Sequence, residues 1–182
     1  MVEIIIQVVS PLSGVGAAGA SAAAGASAAE TWAAAEFAHA KGEWRRHFRG
    51  DVVERAPDAV TDDDIATKHL VLFGTPESNP LLAKVMGKLP VTRDGSDWMI
   101  GSARAPAATS IPVLVYPNPL AADRYVVLNS GFTFREYAYL NNARQIPMLP
   151  DWALVSTVVG GDSQFPGRIL AEGFFDERWR PR

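Results

Sequence analysis

Apolar residues form short continuous runs at three places in the middle of the chain, and a polar turn follows each run. The runs cover residues 69–73, 111–116 and 125–128. Nearly all-apolar runs of this length are typical of strands that are buried on both faces of a parallel sheet. The pattern therefore predicts three central strands.

Other stretches carry helical or hairpin patterns. Apolar residues recur every three or four positions after Glu30 and again after Pro80, which favours two amphipathic helices, and Gly50 can end the first. Turn signals stand at residues 94–95 and 160–162, the second within a C-terminal β-hairpin. Together these elements predict an α/β fold, with a small three-layer, mostly parallel sheet, flanking helices and a C-terminal β-hairpin.

The first 30 residues differ in composition from the rest. Residues 4–9 have strand character, but this run is only about half the length of a membrane-spanning helix. Residues 11–29 are nearly all Gly, Ala and Ser, and their GVGAAG matches the G-x-G-x-x-G pattern of dinucleotide-binding loops. The acidic residue expected about 20 positions later would be Glu36, inside the predicted helix. We therefore interpret residues 1–30 as an Ala/Gly-rich leader and residues 31–182 as a single α/β domain.

Composition and charge exclude several classes of function. The net charge of −3 gives no general attraction to nucleic acid or to an anionic membrane. The chain has no cysteine, so disulfides and thiolate sites are excluded. His39, His47 and His69 lack the spacing of a zinc site. We find no convincing signal peptide or transmembrane segment, and the localisation stays open.

Three sets of charged residues each have two interpretations. The five basic residues within 41–49 could bind phosphate or carboxylate, but the solvated face of a helix is preferred. Residues 62–64 are three aspartates that could ligate Ca²⁺, but they lack the spacing of an EF-hand loop, so capping of a short helix is preferred. Arg135 and Arg144 could bind a carboxylate but are interpreted as solvated surface residues.

A site is expected in the polar loops after the predicted strands, because ligands bind beyond the carboxyl ends of parallel strands. The Ser78 hydroxyl could act as a nucleophile beside Glu77, or it could cap the following helix. Asn129 and Ser130 complete the catalytic candidates, where asparagine could stabilise an oxyanion, although both are also ordinary turn residues. The substrate-binding candidates are Thr75, Asn79, Asn118 and Thr133.

A metal in this chain would need oxygen ligands, which favours Ca²⁺. The candidate ligands are Asp162, Asp176 and Glu177, although they share no recognisable spacing and their alternative interpretation is exposed carboxylates. The aromatic residues nearby are interpreted as core or interface residues rather than a stacking platform for nucleic acid. These residues are Trp152, Phe174, Phe175 and Trp179.

Four longer segments carry a family resemblance. They are LVLFGTPESNPLLAKV, IPVLVYPNPLAADRYVVLNSGFTFREY, LNNARQIPMLPDWAL and PGRILAEGFFDERW. Over about residues 42–182 the chain resembles the C-terminal module of bacterial proteins related to prolyl oligopeptidases and acetyl xylan esterases. In larger relatives this module follows an α/β-hydrolase domain, so the resemblance implies an association with ester or peptide hydrolysis. The chain departs from the family pattern at Phe132, where the pattern has a histidine.

Two functions follow. The first is a small hydrolase of ester or lactone bonds, acyl lactones included, with a small-molecule substrate and with assistance from Ca²⁺ left open. The second is a non-catalytic accessory or oligomerisation module of a hydrolase family. The chain has no G-x-S-x-G nucleophile elbow and no histidine after His69, so the standard hydrolase triad is absent. The hydrolase ranks slightly ahead, because a free-standing copy would have no attached catalyst to assist.

Overall fold

A computed structural model describes residues 4–7, 26–130, 135 and 149–182. These ranges contain ten strands and three α-helices. The helices are α1 (Ala28–Phe48), α2 (Asp62–Thr67) and α3 (Pro80–Met86). The strands are β1 (Ile4–Gln7), β2 (Val53–Arg55), β3 (His69–Leu72), β4 (Val91–Asp94), β5 (Asp97–Ile100), β6 (Ala103–Pro106), β7 (Ser110–Pro117), β8 (Tyr125–Leu128), β9 (Trp152–Ser156) and β10 (Ile169–Gly173).

Seven of these strands form one mixed sheet in the order β10-β9-β7-β8-β3-β1-β2. The pairs β1 with β2, β1 with β3, and β3 with β8 are parallel. The pairs β7 with β8, β7 with β9, and β9 with β10 are antiparallel. As a result, β1, β3, β8 and β9 all end at one edge of the sheet, which we call the carboxyl edge. The strands β4, β5 and β6 form a separate antiparallel sheet.

Helix α1 covers one face of the large sheet. A capping box starts it, in which the Ser27 hydroxyl accepts the Glu30 N–H and the Glu30 carboxylate accepts the Ser27 N–H. Trp32 packs against β7 and β9, and Phe37 makes an edge-to-face contact with Phe73 after β3. Although α1 has 21 residues, no helix in the described ranges has the length and apolar content needed to cross a bilayer.

The opposite face is covered by α3 and by the three-stranded sheet. Leu82 and Val85 of α3, together with Trp98 of β5, pack on Leu70 and Leu128 of the large sheet. Because successive side chains of a strand point to opposite faces, Leu70 and Leu72 join this cluster while Val71 joins the cluster under α1. The central strands are therefore buried on both faces.

The prediction of an α/β fold with a three-layer, mostly parallel sheet is wrong. In the ranges that the structure describes, strands outnumber helices, and they form a mixed large sheet and a second antiparallel sheet. The error has a physical cause, because burial on both faces gives antiparallel strands the same all-apolar signature as parallel ones. A parallel pair needs a crossover of about a dozen residues or more, whereas only a short turn over residues 118–124 joins β7 to β8.

The described part of the N-terminal segment belongs to the large sheet. Strand β1 lies between β2 and β3, and α1 follows it in the chain. The strands β1 and β2 with α1 between them therefore form a parallel β-α-β unit. The GVGAAG sequence falls within residues 8–25, outside the described residues.

Candidate functional site

The carboxyl edge brings together several of the expected site residues. Residues 73–79 follow β3, residues 129–130 follow β8, and residues 157–168 follow β9. Asn118 was expected at this edge but lies at the opposite one, because it follows β7, which runs antiparallel to β8. Thr133 and Arg144 lie outside the described residues. The candidate site thus reduces to the β3 and β8 loops.

Asn129 joins these two loops. Its side chain is 2 % exposed, its Oδ1 accepts the Gly74 N–H at 2.8 Å, and its Nδ2 donates to the Pro112 carbonyl at 3.1 Å. The Asn129 N–H also donates to the Leu72 carbonyl. A φ of 51° puts Asn129 in the left-handed region, which asparagine tolerates better than most residues. The Asn129 amide is therefore engaged with backbone rather than directed at a ligand. Ser130, directly after it, is half-buried.

Ser78 lies in the tight turn that leads into α3. Its Oγ accepts the Thr75 N–H at 3.0 Å and is 3.3 Å from both the Thr75 carbonyl and the Thr75 Oγ1. Glu77 is exposed, and no described residue donates a hydrogen bond to its carboxylate. General-base activation needs a base within hydrogen-bond reach of the hydroxyl. In the described part of the chain, the hydrogen bonds of Ser78 Oγ all go to Thr75.

Asn79, rather than Ser78, caps helix α3. Its fully buried Oδ1 accepts the N–H groups of Leu81 and Leu82 at 3.1 Å each, and its Nδ2 donates to the Phe73 carbonyl. Pro80 occupies the first turn, where its missing N–H costs nothing. The side chain that was a substrate-binding candidate is thus the N-cap, and its polar atoms are already satisfied.

The three candidate metal ligands are engaged separately. Asp162 accepts the N–H groups of Gln164 and Phe165, and the bond from Phe165 is the main reason that the pKa of its carboxyl lies below the ordinary value. Glu177 is exposed and lies 3.8 Å from Arg182. Among the residues that the structure describes, no three His, Asp or Glu side chains are grouped so that they could hold a metal ion.

Asp176 holds the turn near the chain end. Its carboxylate accepts the N–H groups of Arg178 and Arg180 at 2.9 Å and the Arg180 Nε at 2.8 Å. The backbone bond from Arg180, followed by that residue's guanidinium, lowers the pKa of Asp176 to about 2. This turn places Trp179, at a φ of 60°, against Tyr116 and Phe175.

Sequence reasoning missed a buried ion pair near the carboxyl edge. Arg135, interpreted as a solvated residue, is 6 % exposed and binds both carboxylate oxygens of Glu36 in α1 at 2.5 Å. Its Nη1 also donates to the Asp162 carbonyl at 3.2 Å. The two partners stand 99 positions apart in the sequence, so no local spacing signals the contact.

Exposed apolar side chains concentrate around β10, which forms one end of the large sheet. No described strand pairs with its outer edge. Of the four aromatic residues expected in the core or an interface, Trp152 and Phe175 are buried, whereas Phe174 is 60 % exposed. We call the exposed apolar residues of this segment the β10-edge patch. It consists of Val158, Val159, Phe165, Leu170 and Phe174.

The arrangement at the carboxyl edge is suited to holding loops in place. Asn79 and Asn129 are buried and bonded to backbone, and the Ser78 hydroxyl closes its own turn. Exposed apolar side chains lie in the loop after β9, at Val158, Val159 and Phe165, and on or directly after β10, at Leu170 and Phe174. No protein-family model, curated protein or solved structure matches this chain.

Proposed function

We propose that this chain is a non-catalytic accessory module of a hydrolase family and that it self-associates through the β10-edge patch. The family is taken from the resemblance of residues 42–182 to the module that follows α/β-hydrolase domains. The observation that carries the proposal is a contrast between two groups of side chains: the polar ones of the β3 and β8 loops are bonded internally, whereas the apolar ones of the β9–β10 segment stay exposed. Exposed apolar patches of this kind mark protein interfaces, whereas enzymes present polar groups in a cleft.

The internal bonding of the candidate catalytic residues supports the accessory role over hydrolysis. A nucleophilic serine needs a base, and an oxyanion needs donors that are directed into a substrate space. Ser78 Oγ is held by Thr75, and the Asn129 Nδ2 donates to the Pro112 carbonyl. Using either group in catalysis would require the loop to break its own hydrogen bonds first.

The features of β10 favour a second copy of the chain as the partner. An unpaired strand edge can add a further strand, and two-fold symmetry pairs identical edges in antiparallel register. Arg168 stands immediately before β10 and Glu172 near its end, both exposed. Antiparallel pairing of two copies would bring these opposite charges close at both ends of the interface. A bulge between Ile169 and Ala171 leaves Leu170, 40 % exposed, projecting from the strand.

The first experiment measures the mass of the purified protein over a range of concentrations by analytical ultracentrifugation. We expect a monomer–dimer equilibrium that Leu170→Asn and Phe174→Ser each weaken by about tenfold or more, which corresponds to about 1.4 kcal/mol. Val53→Ser is the matched control, because Val53 is equally apolar and exposed but lies on β2 at the other end of the sheet. A monomer at every concentration would overturn the self-association.

The second experiment assays hydrolysis of chromogenic esters and of lactones, with a chelator and with added Ca²⁺. We expect no turnover above the buffer rate for the wild-type protein. Turnover that Ser78→Ala or Glu77→Ala abolishes would overturn the accessory role and establish the hydrolase instead. A Thr75→Ser variant, which keeps a hydroxyl at that position, is the control for general disturbance of the turn.

A further inference from the structure

Three arginines surround a glycine on the outer face of α1. Arg45, Arg46, Arg49 and Gly42 line a surface depression of about 430 Å³. With 3.6 residues per turn, positions 42, 45, 46 and 49 share one face of the helix. The buried residues, such as Ala33, lie on the other face. We call this group the arginine stripe.

Gly42 is the first unusual feature of the arginine stripe. Glycine is the poorest helix former after proline, yet Gly42 stands inside the last two turns of a long helix. A Cβ at this position would meet no other atom within 4 Å, so packing does not require glycine. What the glycine does provide is bare helix backbone between the guanidinium groups, and a ligand could lie there.

Arg49 is the second unusual feature. Helices commonly end with glycine in the left-handed conformation, and Gly50 is the next residue in the chain. It is nevertheless Arg49 that adopts this conformation, with a φ of 58°. A strained backbone at a residue with a functional side chain is typical of binding sites. The Arg49 N–H donates to the Arg45 carbonyl, whereas its guanidinium makes no hydrogen bond or ion pair with the described residues.

Arg45 and Arg46 each lie near an acidic residue. Arg45 Nη1 is 2.8 Å from the Asp51 carboxylate, with about three quarters of both side chains exposed, and Arg46 Nη1 is 4.0 Å from Glu43 Oε1. The exposed pair of Arg45 with Asp51 contributes little to stability, so another anion can readily replace the Asp51 carboxylate. Basic residues in the last turn also complement the helix dipole. The interaction with the helix dipole, however, requires neither glycine at position 42 nor the left-handed backbone conformation of Arg49.

We propose that the arginine stripe binds a phosphate group that carries at least two negative charges. Guanidinium groups bind phosphate oxygens through two parallel hydrogen bonds. The Arg49 guanidinium is available for this contact, because no carboxylate of the described residues binds it. The bare backbone at Gly42 lets the phosphate lie between the side chains. The group is carried either by a soluble phosphorylated molecule or by a lipid headgroup. This proposal does not depend on self-association through β10.

The test titrates the full chain with diphosphate by calorimetry at low salt, and separately with phosphatidylcholine vesicles with or without a phosphatidylinositol phosphate. We expect saturable binding. Binding to diphosphate alone would indicate a soluble ligand, whereas binding to both diphosphate and the phosphoinositide vesicles would indicate a lipid headgroup. Arg49→Gln should weaken it by about tenfold, as expected for loss of a charge-assisted pair of hydrogen bonds. Gly42→Ala should weaken binding several-fold while raising the melting temperature, because alanine favours the helix.

Arg178→Gln is the control, since it removes the same charge from an exposed residue near the C-terminus. We expect it to change the affinity by less than about twofold, because Arg178 does not line the depression and its exposed charge is screened. Equal weakening by Arg178→Gln and Arg49→Gln would overturn the proposal, because it would indicate non-specific attraction. The absence of saturable binding to both probes would overturn it as well.

Discussion

The Asn129 side chain accepts the Gly74 N–H at 2.8 Å, across 55 positions of sequence, and so ties the end of β8 to the loop after β3. Through Nδ2 the same side chain also holds the Pro112 carbonyl of β7. Three neighbouring strands are therefore joined by one amide at the carboxyl edge. Because the amide is buried, its bonds are protected from competition with water.

Replacing Asn129 tests this joint. Asn129→Ala leaves the Gly74 N–H and the Pro112 carbonyl without partners, and it places alanine at a positive φ. We expect the free energy of unfolding in urea to fall by about 2–5 kcal/mol, since each unsatisfied buried group costs about 1–3 kcal/mol. Asn129→Gly relieves the backbone strain only and should remain destabilised by most of that amount. If Asn129→Ala lowered the free energy of unfolding by less than about 0.5 kcal/mol, Asn129 would not hold the three strands together as described.

Acid should weaken the protein through Asp64. Its contacts with Lys68, the larger cause, and with the Thr61 N–H lower the pKa of Asp64 from 3.8 to about 2. A lowered folded-state pKa adds stability above about pH 4, and this stability is lost as the pH falls towards 2. We therefore expect Asp64→Asn to be less stable than wild type at pH 7, with the difference disappearing near pH 2 in urea unfolding. Asp123→Asn, at an exposed carboxylate, is the control. A difference that stays constant from pH 7 to pH 2 would refute the linkage.

The ion pair between Glu36 and Arg135 should contribute strongly. Their side chains are 12 % and 8 % exposed, and Arg135→Met leaves the Glu36 carboxylate without its guanidinium. Breaking a buried pair from one side costs about 3–5 kcal/mol, and we expect a loss of that size in chemical denaturation. The double variant Glu36→Leu with Arg135→Met should recover much of it. If the double-mutant cycle of these two substitutions gave no coupling free energy, the ion pair would not be formed in solution.

Gly173 faces the Trp152 ring closely enough to exclude a methyl group. A Cβ at position 173 would lie 2.6 Å from Trp152 Cζ2. We expect Gly173→Ala to lower the free energy of unfolding by about 1–3 kcal/mol through overpacking, and Trp152→Phe to restore part of it. Gly87→Ala is the control, because a Cβ there meets nothing within 4 Å. Equal effects at both glycines would rule out the packing explanation.

Local patterns predicted individual elements well. The strands at 69–72, 110–117 and 125–128, the helix from Pro80 and the turn at 94–95 are confirmed. The cap of α2 is confirmed too, since the Thr61 hydroxyl accepts the Asp64 N–H. Each of these features depends on residues within a few positions of one another, and there periodicity and capping chemistry act directly.

Strand direction and the roles of the polar residues could not be read in the same way. Burial on both faces hides whether a strand runs parallel or antiparallel, so the orientation of β7 and the position of Asn118 were missed. Ser78 and Asn129 are residue types that are common in catalytic sites, but only the structure shows which backbone groups they bind. The contact between Glu36 and Arg135 depends on the packing of α1 over distant loops, which no window of sequence contains.

Strand β1 makes residues 4–7 part of the large sheet. It is the direct neighbour of both β2 and β3, and β2 has no other strand partner among the described residues. A chain shortened to begin at Ser27 would lose the link that attaches β2, and the side of β3 that now faces β1 would become an open template for other chains. Strand β1, in the segment interpreted from composition as a leader, thus covers an edge of β3, and we expect a chain that begins at Ser27 to aggregate more readily.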